Sequence, residues 1–139
     1  MTMPRTTGVV VVTHGVAGAA MIEVAERLTG FLPRVEAVTV VPGEPPDALE
    51  ERLSAAVASL GGGGEGGVLF LVDLGGSTPA NLCERAGGPS QVAVLTGLNL
   101  PMLLKLATAD RAGGVRALAD ELCRTGVKSI AVRFPEPDA

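Results

Sequence analysis

The sequence predicts an α/β domain of three layers on a mostly parallel sheet. Three observations lead there. Short runs rich in Val and Leu recur along the chain, segments with helical spacing of apolar residues separate them, and Gly or Pro marks most changes from one to the other. Alternating strands and helices of this kind bury their apolar faces by placing helices on both sides of a parallel sheet, joined by right-handed crossovers.

The elements follow in order. After a short polar arm, Gly8 to Val12 is a continuous β-branched run, as expected of a strand covered on both faces, and His14 comes almost at once after it. From Gly18 the spacing turns helical, with Ala20, Val24 and Leu28 on one face, Glu23, Glu26 and Arg27 elsewhere, and a stop at Gly30. A second β-rich run, Val35 to Val41, ends at the turn Pro42-Gly43. Pro45-Pro46 opens a helix whose inward face carries Leu49, Leu53, Ala56, Val57 and Leu60. The stretch Gly61 to Gly67, interrupted only by Glu65, reads as a plain surface loop, because it lacks Lys and Ser and precedes a strand, whereas phosphate loops precede helices.

The third strand, Val68 to Val72, delivers Asp73 at its end, and Gly75-Gly76-Ser77-Thr78 leads to Pro79 and a helix running to about Arg85. A fourth strand spans Gln91 to Leu95, Thr96 to Asn99 is a loop, and Leu100 to Ala107 a short helix. Val115, Leu118, Ala119 and Leu122 mark a last helical face ending at Gly126. From Lys128 to Phe134, Ile130, Val132 and Phe134 stand against Ser129 and Arg133, the alternation of a terminal strand at a sheet edge. In the flavodoxin-like order 2-1-3-4 the chain reverses direction between the first and third strands, so their carboxyl ends border the ligand crevice. His14 and Asp73 occupy those two ends.

Composition narrows the function. With 139 residues, 47% of them hydrophobic, the chain reads as one domain, residues 1–139, with a core at about 7–134. A net charge of −4, no basic stripe, and no Trp or Tyr argue against a nucleic-acid partner. The longest apolar run is far shorter than the about 20 residues a membrane helix needs, so no membrane insertion is expected. Cys83 and Cys123 lack C-x-x-C spacing, and no leader-like stretch precedes them, so reduced thiols in cytoplasm are expected. One His with two thiols completes no zinc set, and the reading calls for neither metal nor cofactor. Both cysteines fall on expected helices and read as buried packing residues.

The chemistry centres on His14, the only histidine. A neutral imidazole is nucleophilic and can attack phosphorus if one ring nitrogen presents its lone pair while the other keeps a proton, which a neighbouring carboxylate such as Asp73 can hold in place. Thr78 before Pro79 reads as an N-cap, with Gly76, Ser77 and Thr78 turned toward the crevice and the helix dipole favouring an anion there by about 0.3–1 kcal/mol. Simple capping accounts for Ser77 and Thr78 equally well. Gly15 and Gly18 permit close backbone approach to His14, or merely form the turn, and Gly15 joins Gly76, Ser77 and Thr78 as an expected phosphate contact. Ser77 as a nucleophile with His14 and Asp73 stays formally open, though without a nucleophile elbow. Patterns for P-loop kinases, dinucleotide binding and α/β-hydrolases are absent.

Four motifs in order carry a resemblance: V-V-V-V-T-H-G at Val9–Gly15, V-P-G-E-P-P-D-A-L at Val41–Leu49, L-V-D-L-G-G-S-T-P-A-N at Leu71–Asn81 and T-G-L-N-L-P-M-L-L at Thr96–Leu104. Together they resemble the mannose-family enzyme IIA of the bacterial phosphoenolpyruvate-dependent sugar phosphotransferase system. The resemblance implies a phosphohistidine at His14, accepting from the histidine-containing phosphocarrier protein and donating to a separate enzyme IIB, with Asp73 beside the imidazole. It also implies a homodimer that exchanges the terminal strand. Gly75, where the family usually has an aromatic residue, and Ala80, where it often has Phe, are expected to trim the apolar rim; Thr78 keeps the family's hydroxyl. A regulatory phospho-sensor of the same fold, binding a kinase or transcription regulator without sugar transport, is the alternative, and the phosphoryl-donor subunit of a dihydroxyacetone kinase is a related one.

Overall fold

A computed structural model of the chain describes residues 6–60, 66–87 and 91–137; most of the expected loop Gly61–Gly67 lies outside them. Four strands, β1 (Gly8–His14), β2 (Val35–Val40), β3 (Val68–Val72) and β4 (Val92–Thr96), form one sheet in the order β2-β1-β3-β4, all parallel. Five helices, α1 (Ala17–Thr29), α2 (Pro46–Ser59), α3 (Thr78–Ala86), α4 (Leu100–Lys105) and α5 (Val115–Lys128), complete the described residues. This is the three-layer α/β fold expected from the sequence. The strand-like run at 8–12 extends two residues further, so that His14 is the last residue of β1 and lies in register with Val40.

The pleat divides the core. Val10, Val12, Phe70 and Val72 pack with Leu49, Leu53, Leu82 and Cys83 of α2 and α3. Val9, Val11, Leu69 and Leu71 pack on the other face with Ala25, Met102, Leu103, Leu118 and Leu122 of α1, α4 and α5. Val9–Val12 and Val68–Val72 of the two central strands are fully buried, which is why they read as continuous apolar runs and not as alternating ones. Among the described residues, no helix is long and apolar enough to cross a membrane.

At the amino ends of the strands, the buried Arg111 guanidinium donates to three carbonyls. Nε and Nη2 reach Thr7 O at 3.1 and 2.7 Å, Nη2 also reaches Arg34 O at 3.0 Å, and Nη1 reaches Pro33 O. The return bond, Thr7 N–H to Arg111 O at 2.8 Å, closes the same junction. Burial, with Arg34 nearby, lowers the Arg111 pKa from its ordinary value.

Three expectations are corrected. The buried face of α1 is Gly18 and Ala25, flanked by half-buried Met21 and Ile22; Ala20, Val24 and Leu28 point to solvent. α1 lies close on β1, and small residues let the backbones approach where Val and Leu would hold them apart. Second, α5 does not stop at Gly126. It runs through that buried glycine to Lys128, and Gly126 is where the helix passes Met102, whose Cε leaves no room for a Cβ there. Third, Lys128 to Phe134 forms no strand within this chain. Lys128 closes α5, and the segment from Ile130 onward has no ladder partner among the described residues, leaving Ile130, Val132 and Phe134 at 75%, 77% and 86% exposure.

Candidate functional site

β1 and β3 are neighbours, with Val12 opposite Val72, so the residues that follow them meet above the sheet. The Asp73 N–H donates to Val12 O at 3.2 Å, which turns its carboxylate toward His14. That carboxylate receives two donors from one residue. The His14 backbone N–H reaches Oδ2 at 2.9 Å, and Nδ1 lies 3.1 Å from Oδ2 and 3.3 Å from Oδ1. An ionised carboxylate only accepts, so this contact selects the Nδ1–H tautomer and leaves the lone pair on Nε2. The imidazole is about half exposed, at 51%, and Asp73 less so, at 29%.

The turn from β1 into α1 is held from behind. Thr13, 1% exposed, faces the opposite side of the sheet from His14. Its hydroxyl donates to Gly15 O at 3.1 Å and accepts from Gly18 N–H at 2.7 Å. Gly15 adopts φ +65° and donates its N–H to Val40 O at 3.2 Å. Thr13 was not among the candidate residues of the sequence. The available signal was Val16 at the N-cap of α1, a residue with no side-chain oxygen, which leaves the first turn of that helix to be capped from elsewhere.

The loop after Asp73 carries the other candidates. Ser77, not Thr78, is the N-cap of α3: its backbone is extended, and its Oγ accepts from Ala80 N–H at 3.3 Å while donating to Leu74 O at 2.7 Å. Thr78 is the first helical residue, exposed, and its hydroxyl has no hydrogen-bond partner among the described residues. Gly76 takes φ +71° with open space around its Cα. Gly75 lies against β4, where a Cβ would meet Thr96 Oγ1 at 3.0 Å, so the small residue follows from packing.

Two expectations about the rim change. Ala80 is buried among the residues of α2 and α3, so its size shapes the core and not the rim. The rim keeps apolar side chains elsewhere: Val16, Val41 and Leu74, just beyond the ends of β1, β2 and β3, are all exposed. The cysteines separate as well. Cys83 is buried, and burial, with Glu84 adding to it, pushes its thiol up to about 12; Cys123 is exposed on α5, correcting its expected burial. No group of three or more His, Cys, Asp or Glu placed to hold a metal occurs among the described residues.

Fold and site together define a class: a parallel α/β domain with a single imidazole, oriented by one carboxylate, at the switch point of its sheet. Residues 8–124 match the family described as the fructose IIA component of the PTS, the sugar phosphotransferase system, and the chain belongs to that family. It is 35% identical over 139 residues to the mannose-specific EIIAB component of Escherichia coli strain K12, covering 96% of this chain and 42% of that protein, so the chain spans about two fifths of the relative's length. Among solved structures, the mannose/sorbose-specific IIA subunit from Enterococcus faecalis superposes with a TM-score of 0.81 at 25% identity, covering 96% of this chain and 99% of that one. The IIA protein associated with the fucose utilization operon of Streptococcus pneumoniae gives 0.75 at 25% identity, covering 91% and 93%. The family inferred from the four sequence motifs is the one matched.

Proposed function

We propose that the chain is a cytoplasmic phosphoryl carrier of the sugar phosphotransferase system, accepting on Nε2 of His14 from the histidine-containing phosphocarrier protein and donating to an enzyme IIB. One observation carries the reading: Asp73 engages both the backbone N–H and Nδ1 of His14, while Nε2 has no protein partner among the described residues. The Nε2 lone pair attacks phosphorus of the donor phosphohistidine. A new N–P bond forms as the donor's N–P bond breaks, and the donor ring leaves as neutral imidazole with that electron pair. The Nδ1 proton of His14 stays in place, and the Asp73 carboxylate opposes the positive charge the ring acquires. Reversal onto the acceptor discharges it.

The amino end of α3, on the loop after Asp73, offers the anion's oxygens a built-in counter-dipole. Ser77 and Gly15 are already committed, to capping and to Val40 O, so Gly76 and Thr78 are the better phosphate contacts and the other two shape the loop. Catalysis is then mostly positioning and charge stabilisation. The working form is a homodimer in which residues from Ile130 onward pair with the β4 edge of a second copy, beside a groove of about 510 Å³ lined by Val92, Val115 and Ala119 among others.

The test is phosphorylation in the presence of phosphoenolpyruvate, enzyme I and the phosphocarrier, without ATP. One acid-labile, base-stable phosphoryl group per chain is expected, with a nitrogen-15 shift marking Nε2. An adduct of that kind on His14→Ala removes the reading.

A further inference from the structure

We propose that Thr13 is the positioning residue of the site, holding the β1–α1 turn so that His14 keeps its Nδ1 on Asp73. This rests on the reading of His14 as the phosphoryl acceptor, but its evidence is separate.

The side chain does two things at once. Helix α1 begins without a local cap: Val16 stands at its N-cap position and offers no oxygen, and the first turn has no acidic residue. Thr13 supplies the missing acceptor from five positions upstream, taking the N–H of buried Gly18 at 2.7 Å. The same oxygen donates to Gly15 O at 3.1 Å. One hydroxyl thus fastens the residue after His14 and the second residue of the helix to the strand that carries it.

His14 is held from both faces of the sheet. On its own side Asp73 receives its backbone N–H and Nδ1. On the other side Thr13 fixes the turn that sets the direction of the strand end. Space there is tight: a Cβ on Gly18 would meet Val11 Cγ1 at 2.9 Å and both Thr13 Oγ1 and Cγ2 at 3.0 Å. Without the hydroxyl, Gly18 N–H would be a buried orphan donor, which a protein relieves by moving the turn toward water. Residues 15–17 would then shift, and with them the backbone N–H of His14 that Asp73 accepts. Since transfer depends on the alignment of Nε2 with phosphorus, a displacement of about 1 Å is enough to cost about 100-fold in rate.

The sequence contains one histidine, so its ring can be followed without interference. Thr13→Val keeps the shape and removes the hydroxyl; Thr13→Ser keeps the hydroxyl and removes the methyl. Long-range proton–nitrogen spectra of the unphosphorylated protein, recorded where the ring is neutral, should show the Nδ1–H form in wild type and Thr13→Ser and a tautomer mixture in Thr13→Val. Single-turnover uptake from the phosphorylated phosphocarrier should fall about 10- to 100-fold in Thr13→Val at saturating donor, with donor affinity unchanged, and Thr13→Ser should restore it. A simple loss of stability would move neither the tautomer ratio of the folded protein nor the saturated rate. Should Thr13→Val not fold, Thr13→Ala goes through the same two measurements with the same expectation.

Wild-type tautomer and rate in the hydroxyl-free variant overturn the proposal, and so does a Thr13→Ser variant as slow as Thr13→Val. If wild type takes up no phosphoryl group, the carrier reading fails, while the tautomer spectra still decide whether Thr13 orients His14.

Discussion

Asp73 illustrates what a single residue does in this site and how far sequence reveals it. Its position at the end of a strand next to the one carrying His14 was legible, because strand order and switch point follow from the alternation of elements. That its carboxylate takes two donors from His14, one of them the backbone N–H, was not, since it depends on the turn that Asp73 N–H makes onto Val12 O. Replacing Asp73 by Asn keeps an oxygen for Nδ1–H but loses the charge that opposes the developing imidazolium. Single-turnover phosphoryl uptake should slow by about 10- to 100-fold with the fold intact by circular dichroism; an unchanged rate would remove Asp73 from the mechanism. The cap of α3 shows the opposite limit. Ser77 and Thr78 are both competent caps, and only the extended backbone of Ser77 decides between them.

At the scale of elements, the strands were legible to within a residue or two and the faces of the helices less so. The interior strands announce themselves because Val9–Val12 and Val68–Val72 are buried on both faces and carry only apolar side chains. α1 misleads because the apolar row Ala20, Val24 and Leu28 points outward, while small Gly18 and Ala25 are the buried residues, with Met21 and Ile22 packed beside them. Gly18→Ala tests this packing. Alanine gains at most about 1 kcal/mol of helix propensity, but its methyl would lie 2.9 Å from Val11 Cγ1 in the buried layer, where overpacking costs about 1–3 kcal/mol. The expected net result is a lower midpoint of thermal unfolding; an unchanged or higher one would mean that α1 moves off the sheet freely. The terminal segment, read as an edge strand, forms no ladder within one chain for a different reason. An alternating pattern states that a segment has one apolar side, but not which sheet supplies the other side.

For the whole molecule the question is how the two edges of the sheet are managed. The outer edge of β2 is partly blocked: Arg52 Nη1 donates to Thr39 O at 2.8 Å and pairs with Glu44 at 2.7 Å, placing a charge across the strand. The β4 edge receives no side-chain bond of that kind among the described residues; it faces the groove beside α5, lined by Arg116 and Asp120 as well as Val92, Val115 and Ala119, while three large apolar side chains of the same chain stand exposed beyond α5. In the proposed dimer a second copy would satisfy both at little cost, since exchanged contacts are the same in either chain. Light scattering should therefore give a dimer for the protein described, and a version ending at Ser129 should be monomeric or aggregated. A monomer at micromolar concentration before truncation would sink the dimer; a dimer that survives truncation would move the interface elsewhere.

The arginine junction beneath the sheet carries a further consequence, for biosynthesis. Thr7 O at the start of β1 is capped by a side chain 104 positions later in the chain. A nascent chain leaves the ribosome from its amino terminus, at about 5–20 residues per second. Thr7 is thus synthesised 104 positions ahead of the arginine that caps it, and until Arg111 emerges its carbonyl is left to water or to the first chaperone that meets it.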